Sequence, residues 1–221
     1  MQREGKELAK LVATSFFLGI FFAAGVFFCA ALKTTTGLSY YLAVLSLFYI
    51  TDWTLSTVYS KEPAKIVPLL TRENTEYRRI HTLSVAEFVA ERLLLRSSPT
   101  KAGVVLIGLV LSLAGILLRV IDAKDRKEHS PRLFTTEVQD ALPAAGIHRY
   151  IRYPRYTGFL LFLLGSLVLL ETPICTCFCV YQVWSLVKEK IEEEESLLKE
   201  KFPRDAERRQ QTVFSGAFFI N

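Results

Sequence analysis

The sequence predicts an all-α integral membrane protein with about six transmembrane or near-spanning helices, a tight C-terminal helical hairpin and a cytoplasmic polar tail. Three observations predict it. Half of the 221 residues are hydrophobic, and they fall in blocks: Leu8 to Leu32 carries one charge, Lys10, and Ala102 to Leu118 carries none. Too little polar sequence remains to cover a water-soluble domain of this size. The basic residues behind the net charge of +5 gather between those blocks, and two apolar arms flank the short turn sequence Glu171-Thr172-Pro173.

The first element covers 8–32. Its apolar run exceeds the roughly 7–15 residues of a signal-peptide core, so it reads as a retained helix. The second covers 38–59, with Asp52 its one charge. The third, 80–95, contains His81, Glu87, Glu91 and Arg92. Glu87 and Glu91 lie four apart on one helix face, and alone this segment would rest in the interface as an amphipathic helix. Loop charge favours a crossing. Segment 60–79 holds Lys61, Lys65, Arg72, Arg78 and Arg79, and segment 122–155 holds Lys124, Arg126, Lys127, Arg132, Arg149, Arg152 and Arg155. Both can be cytoplasmic only if the chain crosses twice between them, which makes 80–95 spanning or nearly so and puts both termini in the cytosol.

The fourth element covers 101–121, where Gly108, Ser112 and Gly115 form a small-residue stripe suited to close helix packing. The fifth and sixth, 156–170 and 174–188, make the hairpin. Their arms are short for a full span, which calls for local thinning or burial against other helices. Pro173 suits the first helical position, with Thr172 as a cap. Beyond Lys190 a charged helix follows, and the apolar end VFSGAFFIN returns to the membrane or the protein surface. The chain reads as a single membrane domain, 1–221.

Several function classes drop out. No basic stripe interleaved with aromatics suggests nucleic acid. Cys175, Cys177 and Cys179 alternate along a helix, about 200° apart, so they share no face for a metal; with Cys29 they read as small buried thiols. Inverted repeats and intramembrane charges of the kind transporters use are not evident.

A tight hairpin brings its two cytoplasmic ends together. Arg152, Arg155 and Tyr156 thereby approach Lys190 and the run Glu192 to Glu195. Four consecutive glutamates cover every face of a helical turn, so at least one points toward the hairpin. The other reading of these residues is interfacial: arginine and lysine snorkel to headgroups, tyrosine belongs at the interface, and glutamates form a solvated face.

Segments at 146–220 resemble the isoprenylcysteine carboxyl methyltransferase family. The family pattern G-x-x-x-x-x-R-H-P-x-Y-x-G is met by Gly146 and Arg152-Tyr153-Pro154-Arg155-Tyr156-Thr157-Gly158. The pattern R-x-x-x-E-E-x-x-L is met by Lys190, Glu194, Glu195 and Leu198, and the ending by Val213 to Ile220. Upstream, His81-Thr82-Leu83-Ser84 is similar to an H-S-L element and Leu118-Arg119 to an L-R helix end. The chain departs from the family at Tyr153 for histidine, Lys190 for arginine, Asp140 and His148 for a histidine and a tyrosine, and Phe214 and Phe218 for prolines.

The resemblance implies methylation of the C-terminal prenylcysteine carboxylate of prenylated proteins by S-adenosylmethionine, in the endoplasmic reticulum membrane. It implies a cofactor region over 122–220, cofactor contacts from Arg152, Tyr153, Tyr156, Glu194 and Glu195, and catalytic roles for Lys190 and Arg152. No metal is implied. The partners are prenylated protein C-termini or prenylcysteine, and membrane lipid. Two alternatives stay open: methylation of a lipid or other amphiphilic small molecule, and a non-catalytic membrane scaffold. A sterol reductase fits less well, because the Glu-Glu pair replaces its R-D-E-x-x-C-x-x-K continuation.

Overall fold

The computed structural model describes residues 19–20, 22–27, 36–59, 75–94, 101–126 and 146–201. Residues 22–27 are helical. They are followed by α1 (Thr36–Tyr59), α2 (Thr75–Leu94), α3 (Ala102–Arg126), a 3-10 turn (Gly146–Arg149), α4 (Pro154–Leu170) and α5 (Pro173–Lys201). Most of the first expected helix and residues 60–74, 95–100, 127–145 and 202–221 lie outside the described residues. So does Cys29.

Expected and observed helices differ mainly at their ends. The third element starts at Thr75 rather than 80 and runs 20 residues, about 30 Å, matching the thickness of a hydrocarbon core. The fourth continues to Arg126. The sixth does not stop at 188: α5 is one helix of 29 residues that carries the membrane arm and the glutamates on a single axis. Among the described residues, only Ala102–Asp125 is by itself long and apolar enough to cross a membrane; Pro154–Leu170 is apolar but shorter.

Small residues set the closest packing. A methyl group added to Gly115 would lie 2.5 Å from Phe162 N, one on Gly165 would lie 2.5 Å from Ser112 N, and one on Gly158 would lie 2.7 Å from Gly115 O. The backbones of α3 and α4 therefore touch, and the stripe legible on α3 finds a second stripe, Gly158 and Gly165, on α4. The other side of α3 exposes Leu106, Ile107, Val110, Leu113 and Leu117. On the inner side of α1, Phe48 stacks on Phe162 with ring centroids 3.9 Å apart. Phe162, Leu163, Leu167, Leu169 and Leu170 are fully buried around this contact. Residues 22–27 meet α1 closely too: a methyl on Gly25 would lie 2.8 Å from Ala43 N.

Polar residues inside the helices are answered locally or across the bundle. Ser84, Ser166 and Thr176 hydroxyls donate to the carbonyls of Ile80, Leu163 and Thr172 in their own segments. The Tyr41 and His81 side chains hydrogen-bond at 2.6 Å between α1 and α2. Arg119 of α3 forms a buried salt bridge with Asp52 of α1, and its guanidinium lies 5.1 Å from the Phe48 ring centre.

The hairpin turn corrects one expectation. Thr172 does not cap α5 with its side chain; its buried hydroxyl has no hydrogen-bond partner among the described residues. Glu87 of α2 takes that role, accepting from Ile174 N at 3.0 Å and Cys175 N at 2.7 Å. These are orphan donors of the first helical turn, and the carboxylate also meets the positive end of the helix dipole. Glu87 is thus a bundle carboxylate, not part of a solvated face. Glu171 closes α4 in the left-handed region at φ 54, and Arg92 reaches its carboxylate at 3.7 Å. Cys179 is buried and Cys175 half-buried, as expected of small thiols, but Cys177 is exposed on the outer face of α5.

Candidate functional site

At the end of the bundle opposite this turn, the chain enters α4 through Arg152 and Tyr153, with Pro154 at the first helical position. Proline costs no hydrogen bond there, because its missing N–H would have no partner in the helix. The Tyr153 carbonyl accepts from the amide and hydroxyl of Thr157, both at 3.1 Å. This fixes the first turn while the Arg152 and Tyr153 side chains reach across to α5.

Both side chains converge on one oxygen. Arg152 Nη1 and Tyr153 Oη each donate to Glu195 Oε1 at 2.9 Å. Arg152 is 8% exposed, and at such a depth a charge-assisted bond is stronger than in water. Of the four glutamates, Glu195 is therefore one that turns inward. Glu192 is exposed and lies 3.7 Å from Lys188 one turn earlier. The side chain of Glu194 lies outside the described residues. One residue beyond Pro154, Arg155 Nη2 donates to Tyr156 Oη at 3.2 Å, and its guanidinium lies 4.9 Å from that tyrosine's ring centre. The Tyr153 and Tyr156 rings lie 6.2 Å apart.

Of the residues singled out in the sequence, the structure joins Arg152, Tyr153 and Glu195 directly. Tyr156 is buried beside them and bonded to Arg155. Lys190 is half-buried on α5. The pairing of Asp122 with His148 was not legible. His148 is 1% exposed, and its Nε2 lies 3.1 Å from Asp122 Oδ1 in an electrostatic contact rather than an aligned hydrogen bond. The available signal was the pair Asp122 and Asp125, three apart at the end of an apolar helix.

This arrangement can bind a zwitterion. A guanidinium suits a carboxylate, a glutamate suits an ammonium, and tyrosine rings suit a flat heteroaromatic ring. S-adenosylmethionine carries all three groups, so the residues present fit it. Among the described residues no group of three or more histidine, cysteine or carboxylate side chains could hold a metal.

The sequence model of the isoprenylcysteine carboxyl methyltransferase family matches residues 106–200. Protein-S-isoprenylcysteine O-methyltransferase B of Arabidopsis thaliana is 30% identical over 142 residues, covering 63% of this chain and 72% of that protein. The chain belongs to the isoprenylcysteine carboxyl methyltransferase family. The protein-S-isoprenylcysteine O-methyltransferase of Xenopus laevis is 24% identical over 216 residues, or 97% of this chain and 75% of the relative. The structure described as the eukaryotic intramembrane Ras methyltransferase, an isoprenylcysteine carboxyl methyltransferase, aligns with a TM-score of 0.85 at 23% identity, covering 92% of this chain and 74% of that one. The fold is thus that of this methyltransferase family, a polytopic membrane architecture. Membership carries S-adenosylmethionine-dependent methyl transfer as the reaction class. Arg152, Tyr153 and Glu195 all fall within the residues matched by the family.

Proposed function

We propose that this protein methylates the C-terminal carboxylate of prenylcysteine on prenylated proteins at the cytoplasmic face of the endoplasmic reticulum membrane. The observation that carries the reading is the convergence of Arg152 and Tyr153 on Glu195, at positions that follow the family's motif. S-adenosylmethionine supplies an electrophilic methyl group on a sulfonium. Arg152, Tyr153, Tyr156, Glu195 and, by sequence register, Glu194 are the residues we assign to holding it.

The acceptor carboxylate is already a nucleophile, so the chain needs no strong general base. Its task is to align the two groups and exclude water. Lys190 is proposed as the cation that orients the acceptor carboxylate, and Arg152 as its neighbour on the cofactor side. The prenyl chain enters from the bilayer between helices. Six spanning or near-spanning elements and two cytosolic termini complete the proposed topology.

The test is methyl transfer by purified protein in lipid, with labelled S-adenosylmethionine and separate prenylcysteine, phospholipid and sterol acceptors. Label on prenylcysteine ester is the expected result. Label on phospholipid or sterol alone would replace the acceptor, and cofactor binding without transfer to any acceptor would favour the scaffold. Lys190→Gln is expected to lose about 30- to 1000-fold in kcat/KM for the prenylated acceptor with cofactor affinity unchanged. Acceptor kinetics equal to the wild type would remove Lys190 from the site.

A further inference from the structure

The face of α3 that packs on α4 changes character toward the site end. Gly108, Ser112 and Gly115 give way to Arg119, Asp122 and Asp125, and the last two meet the 3-10 turn that leads into Arg152. Asp125 Oδ2 accepts from Ile147 N at 2.7 Å. Asp122 Oδ1 stands 3.1 Å from Nε2 of the buried His148, with both side chains almost wholly withdrawn from solvent. Gly146 has φ +63, and a methyl there would collide with the Asp125 carboxylate, lying 2.9 Å even from the farther oxygen. The turn is therefore seated on α3 at three successive residues. Its own hydrogen bonds, Tyr150 N and Ile151 N to Ile147 O, both at 3.0 Å, carry that seating to within one residue of Arg152.

We infer that Asp122 and His148 are positioning residues for Arg152. They clamp the turn onto α3, and thereby hold the guanidinium where it meets Glu195. The proposed reaction calls on neither Asp122 nor His148 as an acid or base, because the acceptor carboxylate is already the nucleophile. A buried carboxylate is costly unless a partner answers it, and an apolar pair could fill the same volume. The contact gives the turn one defined seat instead. Because α3 and α4 touch along their glycines, the seat fixes the start of α4 relative to α3. Only α5 then remains to be docked for Arg152 and Tyr153 to find Glu195. The inference rests on the proposed cofactor role of Arg152 and assigns what sets its geometry.

The experiment compares wild type, Asp122→Asn, His148→Gln and the double variant in detergent and lipid, reading S-adenosylmethionine affinity by calorimetry and KM separately for cofactor and acceptor. A displacement of about 1 Å at a positioned group can cost up to 100-fold. Each single variant is expected to weaken cofactor binding roughly 10-fold, about the loss of one hydrogen bond held in place by the turn. Acceptor KM should stay unchanged, and the double variant should be no worse than the worse single variant, because both act through one contact. A merely structural role would lower the folded, active fraction and hence the apparent kcat, while cofactor KM in the surviving enzyme stayed at the wild-type value. That result would overturn the inference. Should Asp122→Asn fail to fold, His148→Gln and His148→Asn carry the same measurement, and unchanged cofactor affinity in both would also overturn it. Absence of cofactor binding by folded wild type is a different outcome, and removes the proposed function together with this clamp.

Discussion

Replacing Gly115 by alanine adds one methyl group where the backbones of α3 and α4 are in contact. That methyl would lie 2.5 Å from Phe162 N and 3.0 Å from Phe162 Cα, up to about 1 Å inside an ordinary van der Waals separation. Both neighbours are backbone atoms, so no side chain can rotate away. Nor can α4 simply step back, because Phe162 already stacks on Phe48 of α1 at 3.9 Å. Overpacking of this kind costs about 1–3 kcal/mol, and at about 2–4 °C per kcal/mol for a chain of this size the midpoint of thermal unfolding should fall by roughly 2–12 °C. A displaced α4 also carries Arg152 and Tyr153 with it. A shift of about 1 Å would stretch their 2.9 Å bonds to Glu195 past useful hydrogen-bond length, so cofactor affinity should drop in the same variant. The assay is thermal unfolding in detergent, with Gly103→Ala as control. Gly103 lies on the same helix, but nothing comes within 4 Å of an added methyl there, and alanine should be neutral or slightly stabilising. Gly115→Ala unfolding within about 1 °C of that control, less than half the shift expected per kcal/mol, would refute the argument that the two backbones are in contact.

Further predictions follow from the same contacts. Glu195→Gln and Tyr153→Phe should each weaken S-adenosylmethionine binding by about 1.5–3 kcal/mol, since each removes a hydrogen bond that involves the Glu195 carboxylate charge; isothermal titration reads both, and wild-type affinity in either variant would remove that residue from the site. Asp52→Asn leaves the buried Arg119 without its carboxylate and should destabilise by about 3–5 kcal/mol, whereas Asp52→Leu combined with Arg119→Met should recover most of that loss in an unfolding assay. Glu87→Ala removes the cap of α5 at a cost of about 0.5–2 kcal/mol, and hydrogen exchange should quicken at Ile174 and Cys175 before it does in the middle of α4. Single cysteines at positions 70, 98, 130 and 205 test the topology: 70, 130 and 205 should label from the cytosolic side and 98 from the other, while labelling of 70 and 130 from opposite sides would exclude six elements with cytosolic termini.

Much of this protein is decided by short-range rules acting along the chain. The apolar blocks, the proline at the start of α4 and the small-residue stripe on α3 depend on side-chain size, helix period and backbone chemistry, all visible within a few residues of each position. That the Arg152 end of α4 approaches the glutamates of α5 was legible for a related reason: a hairpin with a tight turn brings its two far ends together, whatever else the bundle does. Which carboxylate answers which group was not legible. Asp52 and Arg119 are 67 residues apart, and Glu87 and Cys175 are 88 apart. Their meeting depends on the rotation and axial offset of whole helices, which no local pattern contains. The same limit hid the reason that Glu195 turns inward, because α5 runs unbroken from Pro173 and its rotation is set near the far turn, where Glu87 seizes its first amides. Sequence thus determined where the helices lie and which residues could do chemistry. Packing of glycine against backbone, and the need of each buried charge for a partner, determined which of those residues meet.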